Sequence, residues 1–156
     1  MTMRKMEPQF EVKALNDVSA GALVIFHHAV AFAAINRSAP ATQPIVTLAA
    51  HDARNGQFVY RYFDSAPPTV LVPTGEVVIR PNLHSFAPNV NLQPASTSLF
   101  YKDEPYLVVQ LPIAEFRLLG LNTGALVSAR QTQMDAFTAW EVGVMSLGEF
   151  LPLLKI

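Results

Sequence analysis

Ile45-Val-Thr-Leu-Ala-Ala-His51-Asp52-Ala53-Arg54-Asn55-Gly56-Gln57-Phe58-Val-Tyr60-Arg61-Tyr62-Phe63-Asp64 sets two β-branched and aromatic runs on either side of an Asn-Gly pair. A two-residue type I′ turn needs positive φ at both central positions, and Asn-Gly tolerates that well. The stretch therefore predicts a hairpin in which Arg54 faces Gln57, Asp52 faces Val59 and His51 faces Tyr60. Successive strand side chains point to opposite faces. One face then collects His51, Phe58, Tyr60 and Tyr62, and the other Val46, Leu48, Val59 and Phe63, which reads as core.

The same texture continues in both directions. Short apolar runs at 9–15, 22–26, 30–36, 45–52, 57–64, 69–72, 76–80, 98–101, 106–111, 116–121, 125–131 and 136–144 are separated by Pro, Gly, Asn and Asp clusters. That spacing predicts an all-β fold, an antiparallel barrel or sandwich. Pro73-Thr74-Gly75 fits a three-residue hairpin with a left-handed Gly75. Residues 81–97 carry three prolines and no sustained periodicity, so they read as a loop or crossover, the one subdivision in a single domain spanning 1–156. Gly21-Ala-Leu-Val24 recurs as Gly124-Ala-Leu-Val127, which is either the mark of two similar halves or one hairpin solution used twice. Residues 19–37 suit strand or buried helix. Ser146-x-x-Glu149 is a capping-box pattern, and Pro152 limits any helix begun there to a short C-terminal helical turn. The apolar tail from Phe150 to Ile156 is expected to dock on the core or on a neighbouring subunit.

Composition narrows the functional classes. The 156 residues include no cysteine, which excludes a disulfide scaffold and a thiolate zinc site and suits a reducing, cytoplasmic location. The longest apolar stretch, 22–35, is interrupted by His27 and His28 and is too short to span a bilayer. A net charge of −1 without a basic run argues against nucleic acid. Only 15% of residues are charged while 51% are hydrophobic, so part of the surface is expected to be covered by another subunit or to surround an apolar pocket. The competing explanation is that Ala and Ser take the surface positions.

Motifs for chemistry are sparse. On a strand, adjacent His27 and His28 would point to opposite faces, so a hairpin tip with both rings in water is the simpler reading. No Gly-x-Ser-x-Gly elbow and no glycine-rich phosphate loop occurs. Asp103-Glu104-Pro105 reads as a solvated hairpin loop. No catalytic residue, metal or cofactor is assigned. The constellation that stands out is His51, Tyr60, Arg61 and Tyr62 with His84, as a ligand-binding set. The leading expectation is a non-enzymatic binding or assembly domain that self-associates through apolar strand surfaces, forming a homo-oligomer or engaging a protein partner. The alternative is a small-ligand-binding or enzymatic β-barrel with a pocket near the Asn55-Gly56 hairpin.

Overall fold

The computed structural model describes residues 10–35, 46–63, 68–112, 115–129 and 133–156. The strands, in chain order, are β1 (Phe10–Ala14), β2 (Leu23–Phe26), β3 (Ala29–Ile35), β4 (Val46–His51), β5 (Phe58–Arg61), β6 (Thr69–Pro73), β7 (Val77–Pro81) and β8 (Phe86–Asn91). They continue with β9 (Leu99–Tyr101), β10 (Pro105–Gln110), β11 (Phe116–Gly120), β12 (Leu126–Ser128), β13 (Gln133–Phe137), β14 (Trp140–Ser146) and β15 (Glu149–Lys155). Short 3-10 turns at Leu15–Asp17 and Leu83–Ser85 are the helical pieces among the described residues. Expected strand ends at Gln9, Asn36, Ile45, Asp64, Arg130 and Gln131 lie outside the described residues.

Two sheets form. The larger is mixed and runs β1-β6-β2-β3-β4-β5-β10-β9-β13-β8, with β11 and β12 extending from β10; the smaller is β15-β14-β7. β10 is the branch point: Tyr106–Gln110 pair with β11 along one edge, while the other edge is shared by β9 at Pro105–Tyr106 and β5 at Val109–Gln110. Among the described residues no sheet closes on itself, so the sandwich half of the expectation holds and the barrel half does not. Within that set the strand path ends at β1 on one side and β8 on the other, and these two ends do not pair with each other.

The small sheet packs on the larger one. Trp140 and Val142 of β14, with Ile79, Leu154 and Ile156, join Leu23, Phe32, Phe58, Leu107 and Leu119 in the main core. Trp140 stacks near Phe58, with ring centroids 6.1 Å apart, and its indole N–H donates to the Thr97 carbonyl at 2.9 Å, so the buried polar atom is satisfied. The opposite face of β2–β4 buries Leu15, Val24, Ala31, Ala33, Leu48 and Val70, and the far arm encloses Phe100, Val108, Leu118 and Met134. Within the described part of 19–37, Leu23–Phe26 and Ala29–Ile35 are therefore strands, not helix: β3, Ala-Val-Ala-Phe-Ala-Ala-Ile, is buried on both faces and needs no polar alternation.

Several local expectations are corrected. The Asn55-Gly56 loop holds four residues, Ala53 to Gly56, closed by Asp52 N–H to the Gln57 carbonyl at 2.7 Å and Gly56 N–H to the Asp52 carbonyl at 2.7 Å. The Asp52 carboxylate accepts from Arg54 N–H at 2.9 Å, leaving Gly56 (φ 69°) as the residue with positive φ in that loop. His51 thus faces Phe58, and Tyr60 faces Ala49. The shift of two residues preserves the side-chain sets of each face. The true two-residue turns are His27-His28 (φ 47° and 67°) between Phe26 and Ala29, and Leu147-Gly148 (φ 50° and 79°) between Ser146 and Glu149. Ser146-x-x-Glu149 is thus a pair flanking a hairpin turn, three apart as in a capping box, and the C-terminal segment is strand β15 in place of a helical turn.

Pro73-Thr74-Gly75 joins the two sheets: β6 pairs with β1 and β2, and β7 pairs with β14. Segment 81–97 is a crossover back to the large sheet that carries edge strand β8. The run 136–144 is two strands in different sheets, divided at Thr138-Ala139. The repeated Gly-Ala-Leu-Val segments abut: Gly21 (φ 86°) and Gly124 (φ 70°) lie so close that a Cβ on Gly124 would strike the Gly21 nitrogen and Ala20. The pairings around them differ, since β11 pairs directly with β12 whereas β6 lies between β1 and β2.

Candidate functional site

The five residues singled out from sequence do not form one site. Phe58 and Tyr60 are core, 1% and 7% exposed, so the aromatic face of the hairpin packs inside the sandwich. His51 is half-buried beside Phe58, ring centroids 5.4 Å apart, and burial lowers its pKa against the opposing pull of Asp52. Arg61 is exposed on the other face, opposite Leu48, and Tyr62 is exposed as the chain leaves β5. His84 sits in the 3-10 turn after β7, its backbone N–H donating to Asn82 Oδ1 at 3.0 Å.

None of the five residues lines either of two cavities formed by described residues. The first, about 410 Å³, opens where the chain passes from β6 of the large sheet to β7 of the small one. Leu23, Phe32, Val77, Ile79 and Leu121 make its apolar wall, and Asn122 sits at its rim. Glu104 holds that rim: its Oε1 accepts from the backbone N–H groups of Asn122 and Thr123 at 3.2 and 3.3 Å and from Thr123 Oγ1 at 3.3 Å. Asp103 beside it accepts from the Tyr106 hydroxyl at 3.0 Å, which holds the carboxyl below its usual range; burial, then that bond, push Tyr106 up to about 12. The pair lies in the exposed loop between β9 and β10, where the sequence places a solvated hairpin loop; that its carboxylates clamp Asn122-Thr123 and Tyr106 is seen only in the structure. The second cavity, a polar depression of about 370 Å³, lies between Asn89, Tyr101, Lys102, Gln133 and Asp135.

The surface best suited to a partner is the open edge at β1. A β-sheet edge presents unpaired N–H and C=O groups, and proteins blunt such edges with proline, bulges, short strands or charge. β8 carries Pro88 and a bulge opposite Asp135, with Asn89 at φ 52°. β15 carries Pro152 and its own bulge, β12 is three residues long, and β7 ends on Arg80-Pro81. β1, Phe-Glu-Val-Lys-Ala, has neither proline nor bulge, and among the described residues nothing pairs with its outer edge. Leu15 N–H donates to the Pro68 carbonyl at 2.9 Å, which sets the phase of the ladder. Glu11 and Lys13 turn their main chain toward β6, and Phe10, Val12 and Ala14 turn theirs outward. Phe10 faces Pro73, the one β6 residue with no N–H to offer, as this phase requires.

Val12 is 70% exposed and faces Leu71, 37% exposed, so an apolar row meets solvent at this edge. On the opposite face Glu11 and Lys13 stand side by side, Nζ to Oε2 3.5 Å. Sequence reasoning passes over these residues; the Glu-x-Lys alternation is visible, but nothing local marks a strand as an edge. No family model, curated protein or solved structure matches the chain.

Proposed function

We propose that the protein is a non-enzymatic, cytoplasmic assembly domain that self-associates through an open edge of its large sheet. The observation that carries this reading is β1, a five-residue edge strand whose outer edge nothing pairs with among the described residues, with an exposed apolar residue at its centre. Main-chain pairing supplies affinity in strand addition, and alternate side chains supply specificity. The C-terminal tail has a different part, because Leu154 and Ile156 are packed against the chain's own core. Native mass spectrometry of the untagged protein tests the reading. Subunit masses above that of one chain support it; a single-chain mass at every concentration overturns it.

A second reading, small-ligand binding, is favoured by the apolar wall of the 410 Å³ cavity, which is large enough for a compact molecule. A retained small-molecule mass, lost on filling the cavity with Val77→Trp, would support it. No helix among the described residues is long and apolar enough to cross a membrane.

A further inference from the structure

Resting on the self-association proposed above, we infer that the partner at the β1 edge is a second copy of this chain, bound through antiparallel β1–β1 pairing centred on Val12. Because Phe10, Val12 and Ala14 turn their main chain outward, three neighbouring registers can form hydrogen bonds there: Val12 opposite Phe10, Val12 or Ala14 of the second copy. The charges choose among them. Val12 opposite Phe10 sets Glu11 against Glu11, and Val12 opposite Ala14 sets Lys13 against Lys13; both place like charges directly across the strands, which is unfavourable. Only the central register puts Glu11 opposite Lys13 of the second copy, and does so twice by the two-fold symmetry.

These charges fall at non-hydrogen-bonded positions, where facing side chains approach most closely. Val12 stacks on Val12, and the row continues as Leu71–Val12–Val12–Leu71 across the seam. Lys13, which would block an edge by itself, thereby becomes the residue that sets its register. The two large sheets join as one. Two five-residue strands give a small contact with about six main-chain hydrogen bonds, so the dissociation constant is expected on the order of 10 μM.

The test is sedimentation velocity over a concentration series bracketing that value, on wild type, Glu11→Lys, Lys13→Glu, the double variant and an equimolar mixture of the two singles. The wild type should approach twice the 17.1 kDa chain mass. Each single variant should dissociate at least tenfold more readily. The mixture and the double variant should recover the dimer, because each restores opposite charges at every facing position. Both side chains are exposed, so circular dichroism and the thermal midpoint should not change. Dimers that persist in the single variants overturn the β1 register while leaving self-association standing. A wild type that stays monomeric throughout overturns both.

Discussion

Replacing Tyr60 by phenylalanine should stabilise the protein. Tyr60 is 7% exposed, faces Ala49 across β4–β5 and belongs to the main core, and its hydroxyl oxygen is buried without a hydrogen-bond partner among the described residues. A buried hydroxyl that loses its water bonds and gains none costs about 1–3 kcal/mol. Tyr60→Phe removes that penalty and keeps the ring; the few dispersion contacts of one oxygen, each about 0.1–0.2 kcal/mol, offset part of the gain. The net is about 1 kcal/mol of added stability, or a rise of about 2–4 °C in Tm for a chain of this length. Urea unfolding followed by the fluorescence of Trp140, the only tryptophan, should show a midpoint raised by about 0.3–1 M with an unchanged slope. Tyr60→Leu, which discards the ring, should instead lose about 2–4 kcal/mol. A lower midpoint for Tyr60→Phe would refute the reasoning, because it would mean that the hydroxyl is bonded in solution.

Three further outcomes are expected. Leu147→Asn places a residue tolerant of positive φ where an 87% exposed leucine now holds φ 50°, and should raise stability by about 1 kcal/mol in thermal unfolding. Leu154→Asp, at a half-buried position facing Val142 and packed on the main core, should lower stability by about 2 kcal/mol or more in urea unfolding, with any loss of association no greater than the loss of fold. His51 has a folded pKa below its unfolded one, so the unfolded chain binds more protons between the two values. Stability from this group is complete above about 6.5 and falls as pH drops from there to the depressed folded value. His51→Asn should flatten that part of the stability–pH curve.

What the sequence reveals here is local. Strand runs separated by turn formers predict an all-β chain, and β2 and β3 lie within a residue or so of their expected limits because two polar histidines interrupt an apolar run. The His27-His28 tip follows from the same interruption. Loop length is less legible: Asp52 uses its carboxylate to cap the Asn55-Gly56 loop, adding two residues that the dipeptide alone does not disclose. Edge and centre are not legible at all. Phe58 and Tyr60 look like a half-wet recognition face until the small sheet is laid over them, and that sheet is built from residues 77–81 and 140–155, far away in the chain.

The scarcity of charge then takes on a different meaning. Composition alone points to covered outer surface, yet much of the apolar excess is accounted for inside the chain, because β3 is buried along most of its length on both faces and Leu107, Val108 and Val109 of β10 belong alternately to two cores. A sheet enclosed on both sides consumes apolar residues without exposing them. Self-association therefore gains little from composition and depends on β1, where a charged pair two residues apart permits one self-pairing and opposes its neighbours. If the Glu11 and Lys13 variants leave the dimer intact, self-association stands but its seam is not this β1 register; if the wild type stays monomeric, composition cannot restore the assembly reading, and the 410 Å³ cavity becomes the feature to pursue.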